Sequence, residues 1–482
     1  MIIPKPVKDV LKILEDNNFK GFIVGGCVRD ILTNKKPKDW DVATNATPEQ
    51  VSKLFKKSFC INKFGTVTVL TGSKIESLKE IEITTFRTEG TYSDNRRPDK
   101  VEWATTINED LSRRDFTSNA IAISPGKEII DPFNGQKDIK DKILRAVGEP
   151  DERFQEDALR LMRAVRFASR LEFKIEKKTL EAIVKNSKLL KNISKERIGK
   201  ELLEIIMSNN AAQGIEMLRE LKLLEYVIPE LLEGYQIEQN KHHIYGVYDH
   251  SIRSLDYAAK KNFNMYVRMA ALLHDVGKPR AKEGEGKDST FYNHEIIGAK
   301  MTKKILENLK FPKRDTEKIT KLVRYHLFYY NVDEVQESSV RRLLSKVGKE
   351  NFDELVQLRM ADRIGSGCPK ALPYKLRHFQ YVAERVSQDA IDVTKLKVGG
   401  KEILEILNVE PGPKFGKILH ILLGEVLDDP KKNVKKYLKP RIKELGELGD
   451  KELDKLFVSA KKQKDEIVSK RDEMTKQKYW VT

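Results

Sequence analysis

Two segments near the start of the chain decide its fold, GFIVGGCVRD at residues 21–30 and KDWDVAT at residues 38–44. Both carry β-branched and aromatic residues that predict strands. The first strand ends at Gly25 and Gly26, where a helical pattern begins. A glycine turn of this kind lets backbone N–H groups approach a phosphate closely at the start of a helix. The segment therefore predicts a phosphate-binding turn between a strand and a helix.

The second segment carries two carboxylates, Asp39 and Asp41, two residues apart in the predicted strand. Side chains at this spacing leave the same face of a strand, so both carboxylates point one way while Trp40 points the other. Oxygen ligands on a rigid strand suit a pair of Mg²⁺ ions. Each feature alone has a simpler reading, a tight turn for the glycines and a solvated loop for the aspartates. Their combination predicts nucleotidyl transfer.

Composition indicates a large, charged protein with substantial hydrophobic cores. The 482 residues are 39% hydrophobic and 34% charged, and a chain of this length favours about two to four domains. No apolar run approaches the ~18 residues of a membrane span, and the segment MIIPKPVKDV lacks the apolar core of a signal peptide. Cys27, Cys60 and Cys368 are widely spaced, which predicts a reducing compartment, the cytoplasm, and argues against a disulfide scaffold.

The net charge of +17 predicts a polyanionic partner, most simply nucleic acid. A proteome that is generally rich in lysine would produce the same charge, so charge alone does not decide the partner. No membrane partner is expected. Nothing in the sequence indicates the oligomeric state.

The chain is predicted to be an α+β protein in which a mixed sheet with helices precedes a long helical part. Residues 1–150 alternate helix and strand patterns, with an amphipathic helix at residues 7–18 and strands at FIVGG, WDVAT, TVTVL, IEITTF, KVEWA and AIAIS. Helical patterns continue through residues 151–235, 236–368 and 369–482. The third of these four parts contains six of the eight histidines, and the last is rich in lysine.

The polar segment LSRRDFTSNAIAI supplies candidate ligands for a nucleotide. Arg113 and Arg114 offer forked donors to phosphate or ribose oxygens. Asp115 and Asn119 can hold a sugar hydroxyl or lock the arginines in place. Glu82, in EITTF, is on a strand that is expected to neighbour the aspartate pair, and it is a candidate third carboxylate. The alternative is an ordinary charged turn before a buried strand.

Asp157 and Arg160, in EDALR, are expected on one face of a helix because they are three residues apart. An acceptor beside a forked donor can read a base edge on which an amino group neighbours an acceptor nitrogen. Cytosine and adenine have this edge, whereas uracil and guanine have the reverse polarity. The pair could therefore accept CTP and ATP and reject UTP and GTP, although an ordinary intrahelical salt bridge is the alternative. The preceding segment, residues 129–148, predicts a structural turn.

Six motifs in order resemble those of a known family: GGCVRD, DWD, EITTFRTEG, RRDFTSNAIA, DPFNGQKD and EDALRLMRAVRFA. Over about residues 20–210 the chain resembles the bacterial and eukaryotic class of tRNA nucleotidyltransferases, the CCA-adding enzymes. These belong with bacterial poly(A) polymerases in the polymerase β-like superfamily. The resemblance implies a nucleotidyltransferase head (1–150), a helical neck (151–235), a body (236–368) and an RNA-binding tail (369–482).

The resemblance also implies substrates and site residues. The substrates would be tRNA, CTP and ATP, and catalysis would depend on Mg²⁺ held by Asp39 and Asp41, with Glu82 less certain. The RRD segment would contact ribose, and Asp157 with Arg160 would read the base. The motif ERIGKELLEII resembles the family's last neck motif, which would steady the helices under the base-reading face. The implied nucleotide-binding residues are Gly25, Gly26, Arg29, Arg113, Arg114, Asp115, Asn119, Asp157, Arg160 and Arg163.

The histidine-rich part resembles the HD superfamily of metal-dependent phosphohydrolases. Its distinctive motif is LLHDVGKP, which contains the His274-Asp275 doublet. Imidazole and carboxylate ligands together suit Mn, Fe, Ni, Co or Zn better than Mg. The resemblance implies hydrolysis of cyclic or terminal phosphates or, alternatively, a structural remnant; His242 and His243 are unassigned. The implied metal ligands are His250, His274, Asp275, His294, His326 and Asp362.

In the tail, residues 395–402 (KLKVGGKE) and 411–417 (PGPKFGK) pair glycine turns with lysines at helix starts. Exposed amides at such turns can hold phosphates without reading sequence, and both segments resemble the tail of CCA-adding enzymes that carry an HD domain. The lysine-rich stretch 431–443 could add electrostatic affinity. Plain helix connections and a solvated face are the alternatives.

Several functions remain open at this point. The predicted reaction is CCA addition, and poly(A) synthesis or addition of the terminal A alone are close alternatives. Addition of CC alone is disfavoured because the polar loop at residues 87–100 is intact. A chain that acts mainly as an HD phosphodiesterase would leave the Asp39 and Asp41 pair unexplained. A non-enzymatic RNA-binding protein would leave every motif unexplained.

Overall fold

The computed structural model describes residues 3–60, 66–89, 101–239, 244–284, 288–332, 334–387, 393–410 and 412–481. Contacts within the chain divide it into two compact units. The first combines Met1–Leu327 with Gln357–Ala371, and the second combines Phe328–Val356 with Leu372–Thr482. A mixed sheet with helices occupies the N-terminal part and helices follow, so the predicted α+β class is confirmed. Across the described ranges, no helix has both the length and the apolar composition needed to cross a membrane.

The strands all belong to the first unit. They are β1 (Gly21–Val24), β2 (Asp41–Thr44), β3 (Ser58–Cys60), β4 (Thr66–Leu70), β5 (Glu80–Thr85), β6 (Arg87–Glu89), β7 (Val101–Trp103), β8 (Ala122–Ile123), β9 (Ile129–Ile130), β10 (Ile143–Leu144) and β11 (Lys174–Ile175).

A seven-stranded sheet with the order β3-β4-β5-β2-β1-β8-β9 forms the head. Strand β2 runs parallel to β5 and antiparallel to β1. In β5, Ile81 and Ile83 are buried and alternate with Glu80 and Glu82, because successive side chains of a strand point to opposite faces. The register pairs Asp41 with Glu82. The sheet therefore brings carboxylates from two neighbouring strands to one place.

Helices of the head and of the segments that follow it complete the first part of the chain. They are α1 (Lys5–Asp16), α2 (Gly26–Leu32), α3 (Pro48–Leu54), α4 (Glu76–Lys79), α5 (Ile107–Ser112), α6 (Gly135–Asp141), α7 (Pro150–Glu156), α8 (Leu159–Leu171), α9 (Lys177–Asn186), α10 (Lys195–Ile206), α11 (Ala211–Glu220), α12 (Leu224–Val227) and α13 (Pro229–Leu232).

The helices of the histidine-rich part follow. They are α14 (Val247–Lys260), α15 (Met265–Leu273), α16 (Lys278–Ala281), α17 (His294–Asn308), α18 (Lys313–Tyr325), α19 (Glu337–Val347) and α20 (Phe352–Gly365).

The C-terminal helices belong to the second unit and have an apolar core of their own. Ile418, Leu422, Leu438, Ile442 and Leu453 are almost completely buried in it. The helices are α21 (Tyr374–Ser387), α22 (Gly400–Leu407), α23 (Pro413–Asp428), α24 (Lys435–Glu447) and α25 (Asp450–Tyr479).

Two local predictions are corrected. The turn predicted within residues 129–148 contains a helix, α6. It begins there because the carboxylate of Asp131 accepts from the backbone N–H groups of Gly135 (2.7 Å) and Gln136 (2.9 Å), which lack partners at a helix start. The amphipathic helix predicted at residues 7–18 begins two residues earlier, at Lys5, because Pro6 suits a first helical turn.

Candidate active sites

A glycine turn lies against the carboxylates of the head. Gly25, which follows β1, has a φ of +79°, in the left-handed region that favours glycine. A Cβ at this position would lie 3.1 Å from an Oδ of Asp41 and 3.3 Å from a terminal nitrogen of Arg114. Only glycine lets the backbone come this close to both side chains. The turn, the carboxylate and the guanidinium therefore form one wall.

Three carboxylates converge at the edge of β2 and β5. Asp41 opens β2 and stands beside Glu82, whose backbone N–H donates to the carbonyl of Trp40 at 3.1 Å. Asp39 lies in a bend before the strand, so its placement within the strand was wrong. Asp39, Asp41 and Glu82 nevertheless line one cavity, while Trp40 is buried. The predicted separation of the carboxylates from the indole is therefore found.

Burial and neighbouring charges oppose the ionisation of Asp41 and Glu82. Burial, and then the charges of Asp39 and Glu82, raise the pKa of Asp41 to about 7, although Arg114 acts in the opposite sense. Burial and the charge of Asp39 also raise the pKa of Glu82. An all-oxygen set with excess negative charge is the chemistry that Mg²⁺ or Mn²⁺ prefers. The residues therefore fit the metal pair that the resemblance implies.

Arg113 and Arg114 are held by a carboxylate that the sequence reasoning missed. Asp110 is completely buried on α5 and accepts from Arg113 at 2.6 Å and from Arg114 at 3.0 Å. Burial alone would raise the pKa of Asp110, but the two guanidinium groups outweigh it and lower that pKa. The signal was present, because Asp110 stands three and four residues before the arginines on a helical segment.

A second chain of hydrogen bonds joins the head to α8. The guanidinium of Arg29 donates to the amide oxygen of Asn119, whose amide N–H donates to Asp115 at 3.1 Å. Asp115 also accepts from Arg163 at 2.8 Å. Burial would raise the pKa of Asp115, but the charge of Arg163 and the Asn119 hydrogen bond outweigh it and lower the pKa to about 2. The predicted residues of the GGCVRD, RRDFTSN and EDALRLMR motifs thus form one network.

Asp157 is not on a helix, which corrects the prediction that it shares a helical face with Arg160. It lies between α7 and α8 and accepts from the backbone N–H of Leu159 at 3.0 Å. Its other oxygen accepts from Arg197 at 2.8 Å. The helix breaks here because the Asp157 side chain satisfies an N–H at the start of α8. Arg197 was not singled out as a site residue; it comes from α10, forty residues along the chain, within the ERIGKELLEII motif that was expected to steady the base-reading face.

Arg160 is held by three acceptors rather than by Asp157. It donates to the carboxylate of Glu156, to the carbonyl of Arg153 at 2.9 Å and to the carbonyl of Arg113 at 3.0 Å. The last contact ties the neck helix to the RRD segment of the head. Arg160 also pairs with Glu156 four residues before it, so part of its interaction is an intrahelical salt bridge of the kind that the alternative described.

One cavity of about 800 Å³ collects all the residues predicted for the head site. Its lining includes the head carboxylates and arginines from the head, α8 and α10. A cavity of this size with convergent polar groups is typical of a ligand site. Its combined charges suit a triphosphate that arrives with divalent cations.

The histidine cluster is arranged around one bridging carboxylate. One Oδ of Asp275 lies 3.3 Å from Nε2 of His250 and 3.4 Å from Nε2 of His274. Its other Oδ lies 3.4 Å from Nε2 of His294 and 3.6 Å from Nε2 of His326. Two groups with metal-ligand spacing therefore share Asp275. The arrangement fits two metal ions rather than one.

Second contacts orient the imidazoles. The Nδ1 atoms of His274, His294 and His326 lie 2.7–2.9 Å from backbone carbonyls, so each can donate there and keep Nε2 for a metal. Asp362, on α20, has an Oδ that lies 3.4 Å from Nε2 of His250. The predicted ligands are therefore brought together, and the donor set of imidazole and carboxylate fits a transition metal.

The carboxylates of this cluster differ from those of the head. Burial would raise the pKa of Asp275, but His274 and Lys278 outweigh it and hold that pKa well below its usual range. Burial would likewise raise the pKa of Asp362, but hydrogen bonding from His250 and the charge of Arg359 outweigh it and lower that pKa. Lys278 was not among the predicted site residues. Its ammonium donates to Asp275 at 2.7 Å. Its position three residues after Asp275 on a helical turn could have indicated this contact.

A second cavity, of about 580 Å³, reaches this cluster through Asp275, His294, His326 and Asp362. His250 and His274 are completely buried behind them. Three earlier predictions lie wholly or partly outside the described residues: the unassigned His242 and His243, most of the polar loop at 87–100, and Pro411 of the second tail motif.

Three family models match successive parts of the chain. The poly A polymerase head domain matches residues 21–145, the probable RNA- and SrmB-binding site of polymerase A matches residues 172–234, and the HD domain matches residues 247–365. The first model covers the carboxylate site and the third covers the histidine cluster. Fold and site together define a nucleotidyltransferase that carries an HD domain, and both domain types depend on divalent metal ions.

Individual relatives narrow this class. The CCA-adding enzyme of Ligilactobacillus salivarius is 33% identical over 457 residues, which cover 91% of this chain and 99% of that protein. The CCA-adding enzyme of Lactobacillus helveticus is 48% identical over 219 residues, which cover 45% of this chain and about half, 54%, of that protein. The crystal structure of the Bacillus stearothermophilus CCA-adding enzyme in complex with CTP has a TM-score of 0.59 and 26% identity, covering 92% of this chain and 98% of that chain. The chain belongs to the family of CCA-adding enzymes.

Proposed function

We propose that this chain adds CCA to the 3′ end of tRNA from CTP and ATP, without a nucleic-acid template, and releases pyrophosphate. One observation carries the proposal: a single cavity combines the carboxylate group, the glycine turn, the arginines and the Asp157 and Arg160 side chains. Relatives that are named as CCA-adding enzymes, and a related structure that contains CTP, support the same substrates.

Asp39 and Asp41, with Glu82 as a third ligand, would hold two Mg²⁺ ions. Such ions, when bound, acidify the RNA 3′-hydroxyl and neutralise the triphosphate and the leaving pyrophosphate. Asp41 and Glu82 fix where that charge is neutralised, because β2 and β5 hold them at adjacent register positions. Arg113 and Arg114, both locked by Asp110, would hold the phosphates or ribose in position. Most of the acceleration would come from this positioning and charge neutralisation.

The incoming base would be read by Asp157 and Arg160. Cytosine and adenine each present an amino donor beside an acceptor nitrogen, which match a carboxylate and a guanidinium. A wrong base would place a donor against the Arg160 guanidinium or an acceptor against the Asp157 carboxylate, which costs several kcal/mol in favourable cases. The anchors of each side chain, Arg197 for Asp157 and Glu156 for Arg160, would keep the two groups from following a wrong base.

The reaction is tested with three tRNA substrates that end before the CCA, after one C and after both Cs. Each is incubated with single nucleotides, and the products are separated by length. CCA addition requires incorporation of C on the first two substrates and of a single A on the third. A long ladder of A would support poly(A) synthesis instead, and A addition on the third substrate alone would support an A-adding enzyme. Absence of any addition would contradict the proposal.

A second activity is favoured by the histidine cluster. We propose that its histidines, Asp275 and Asp362 would hold two transition-metal ions, such as Mn, Ni, Co, Fe or Zn, and that the cluster hydrolyses a phosphate ester. The split of its contacts between the two Asp275 oxygens supports two ions. The test is metal analysis of the purified protein together with hydrolysis of 2′,3′-cyclic and terminal nucleotide phosphates. If the purified protein bound no transition metal and none of these esters, the histidine cluster would have only a structural role.

The remaining proposals concern the outer parts of the chain. The predicted domain boundaries, with a head at 1–150, a neck at 151–235, a body at 236–368 and a tail at 369–482, stay proposals. The tail would bind tRNA through phosphates at the starts of α22 and α23. A cytoplasmic location is proposed from the scattered cysteines.

A further inference from the structure

One aromatic ring touches arginines from two different parts of the head site. Phe167, on α8, is almost completely buried and lines the nucleotide cavity. Its ring centre lies 5.6 Å from the guanidinium carbon of Arg29, 5.2 Å from that of Arg163 and 4.4 Å from that of Arg166. Arg29 comes from α2, directly after the glycine turn, whereas the other two come from α8 itself. No motif assigned a role to this phenylalanine.

The environment of the ring is suited to cations. Guanidinium groups within about 6 Å of an aromatic centre are attracted by the negative face of the ring. The Nε–H group of Arg29 is buried and makes no hydrogen bond within the described part of the chain, whereas Nε of Arg166 lies 3.2 Å from a carboxylate oxygen of Glu201. A buried donor without an acceptor is costly. For Arg29, the ring therefore adds a stabilising contact beyond those that the Asn119 and Asp30 oxygens supply to its terminal nitrogens.

The ring is itself fixed from the head side. Phe116, which is completely buried, packs edge-on against Phe167 with 5.7 Å between ring centres and an interplanar angle of 78°. Phe116 directly follows Asp115, the carboxylate that accepts from Arg163. The phenylalanine pair and the Arg29–Asn119–Asp115–Arg163 hydrogen bonds thus connect the same two elements. The position of Phe167 is determined by both.

We propose that Phe167 is a positioning residue of the nucleotide site, which holds Arg29 of the head and Arg163 of the neck at a fixed separation through its ring face. The inference rests on the proposed nucleotidyl transfer, since it assigns Phe167 a part in binding CTP and ATP. Its simpler alternative is core packing, in which any side chain of similar volume would serve. The two differ in one respect: packing depends on shape, whereas attraction of a cation depends on the electrons of the ring.

Ring electrons can be changed at nearly constant shape. Phenylalanine at position 167 is replaced by its mono-, di- and trifluorinated forms, and equilibrium binding of CTP and ATP is measured for each full-length protein. Binding is expected to weaken stepwise with each fluorine, by about 5- to 30-fold in total, because fluorine withdraws electron density from the ring face. Phe167→Leu should give a similar loss, and Phe167→Tyr should retain binding. Affinity that does not follow the number of fluorines would overturn the proposal.

Phe154 provides the matched control. It is completely buried on α7 and has no arginine or lysine against its ring within the described residues, so fluorination there should leave nucleotide binding unchanged. A double-mutant cycle in urea unfolding, Phe167→Leu against Arg163→Met, measures the ring–arginine coupling without any substrate. If the unmodified protein bound neither CTP nor ATP, the proposed function would fail and the nucleotide role of Phe167 with it. A cycle without coupling would overturn the ring contact itself.

Discussion

The carboxylate group of the head and the histidine cluster are two metal-binding arrangements in one unit, and they handle charge in opposite ways. In the head, burial and then the charges of neighbouring carboxylates raise the pKa of Asp41 to about 7 and also raise that of Glu82. In the histidine cluster, imidazoles and Lys278 hold the pKa of Asp275 well below its usual range, and Arg359 helps to lower that of Asp362. Burial opposes ionisation in both, so the neighbours decide the difference.

The difference teaches how each arrangement is expected to use its metal. In the head, the charge of Arg114 does not outweigh the burial and mutual repulsion of the carboxylates, so these carboxylates are expected to bind divalent cations weakly without a nucleotide. The histidine cluster has fixed donors whose other nitrogens face backbone carbonyls, so it is expected to keep its metal between turnovers. Weak, exchangeable Mg²⁺ and tightly held transition metal are the two outcomes that the comparison predicts.

The largest expected effect is at Asp41. Asp41→Asn should lower the rate of nucleotide addition by more than about 1,000-fold, because a ligand needed to neutralise transition-state charge is lost. It should also raise the melting temperature of metal-free protein at pH 8. For an acid whose folded pKa is raised, ionisation destabilises the fold, and the amide cannot ionise. Primer-extension rates and thermal melting with and without Mg²⁺ measure both effects.

Asp141→Asn is the matched control, since Asp141 is an exposed aspartate at the end of α6. It should leave both the rate and the melting temperature unchanged. If Asp41→Asn retained nucleotide addition, Asp41 would not be a metal ligand of the reaction, and the proposed reaction at the head site would be contradicted.

The second prediction concerns metal content. Asp275→Asn should remove both ions of the histidine cluster, because each group of ligands uses one oxygen of Asp275. His294→Ala combined with His326→Ala should remove only one ion, and both variants should still add nucleotides. Elemental analysis after gel filtration without added metal gives the stoichiometry, and hydrolysis of phosphate esters gives the activity.

Two outcomes would change the comparison of the sites. If Asp275→Asn also abolished nucleotide addition, the cluster would support the fold of the head site rather than act separately. If unmodified protein lost its metal as readily as it loses Mg²⁺, the histidine cluster would not be the pre-formed site that its charge balance indicates.

A third, smaller effect is expected for base selection. Asp157→Ala combined with Arg160→Ala should reduce the preference for CTP and ATP over UTP and GTP by about 10- to 100-fold, since discrimination of about 1–3 kcal/mol is lost. Competition assays with all four nucleotides measure the preference. Arg170→Ala is the control, because Arg170 lines the same cavity at the far end of α8 and pairs with Glu204. An unchanged preference in the double variant would disprove base reading by these side chains.

Much of both sites followed from sequence because the residues lie in contiguous motifs. Asp39, Asp41 and the His274-Asp275 doublet are each set by spacing along a few residues. What the sequence did not reveal are contacts between distant segments. The pairing of Asp157 with Arg197 depends on how α7, α8 and α10 pack, and the helix break at Asp157 overrides a helical pattern that continues through it. Local periodicity carries no information about either.

The smallest expected effect is at Asp115, which behaves like the carboxylates of the histidine cluster although it lines the head cavity. Its pKa is lowered to about 2, so its ionised form stabilises the fold above its unfolded pKa, and this contribution is lost as pH falls through about 2. Asp115→Asn should cost about 2 kcal/mol at pH 7, and the cost should shrink to roughly half at pH 3. Urea unfolding of both proteins at each pH measures the difference. A cost that stays the same at both pH values would mean that packing, not the charge of Arg163, holds Asp115. The head cavity would then not contain both carboxylates with a raised pKa and a carboxylate that a cation stabilises.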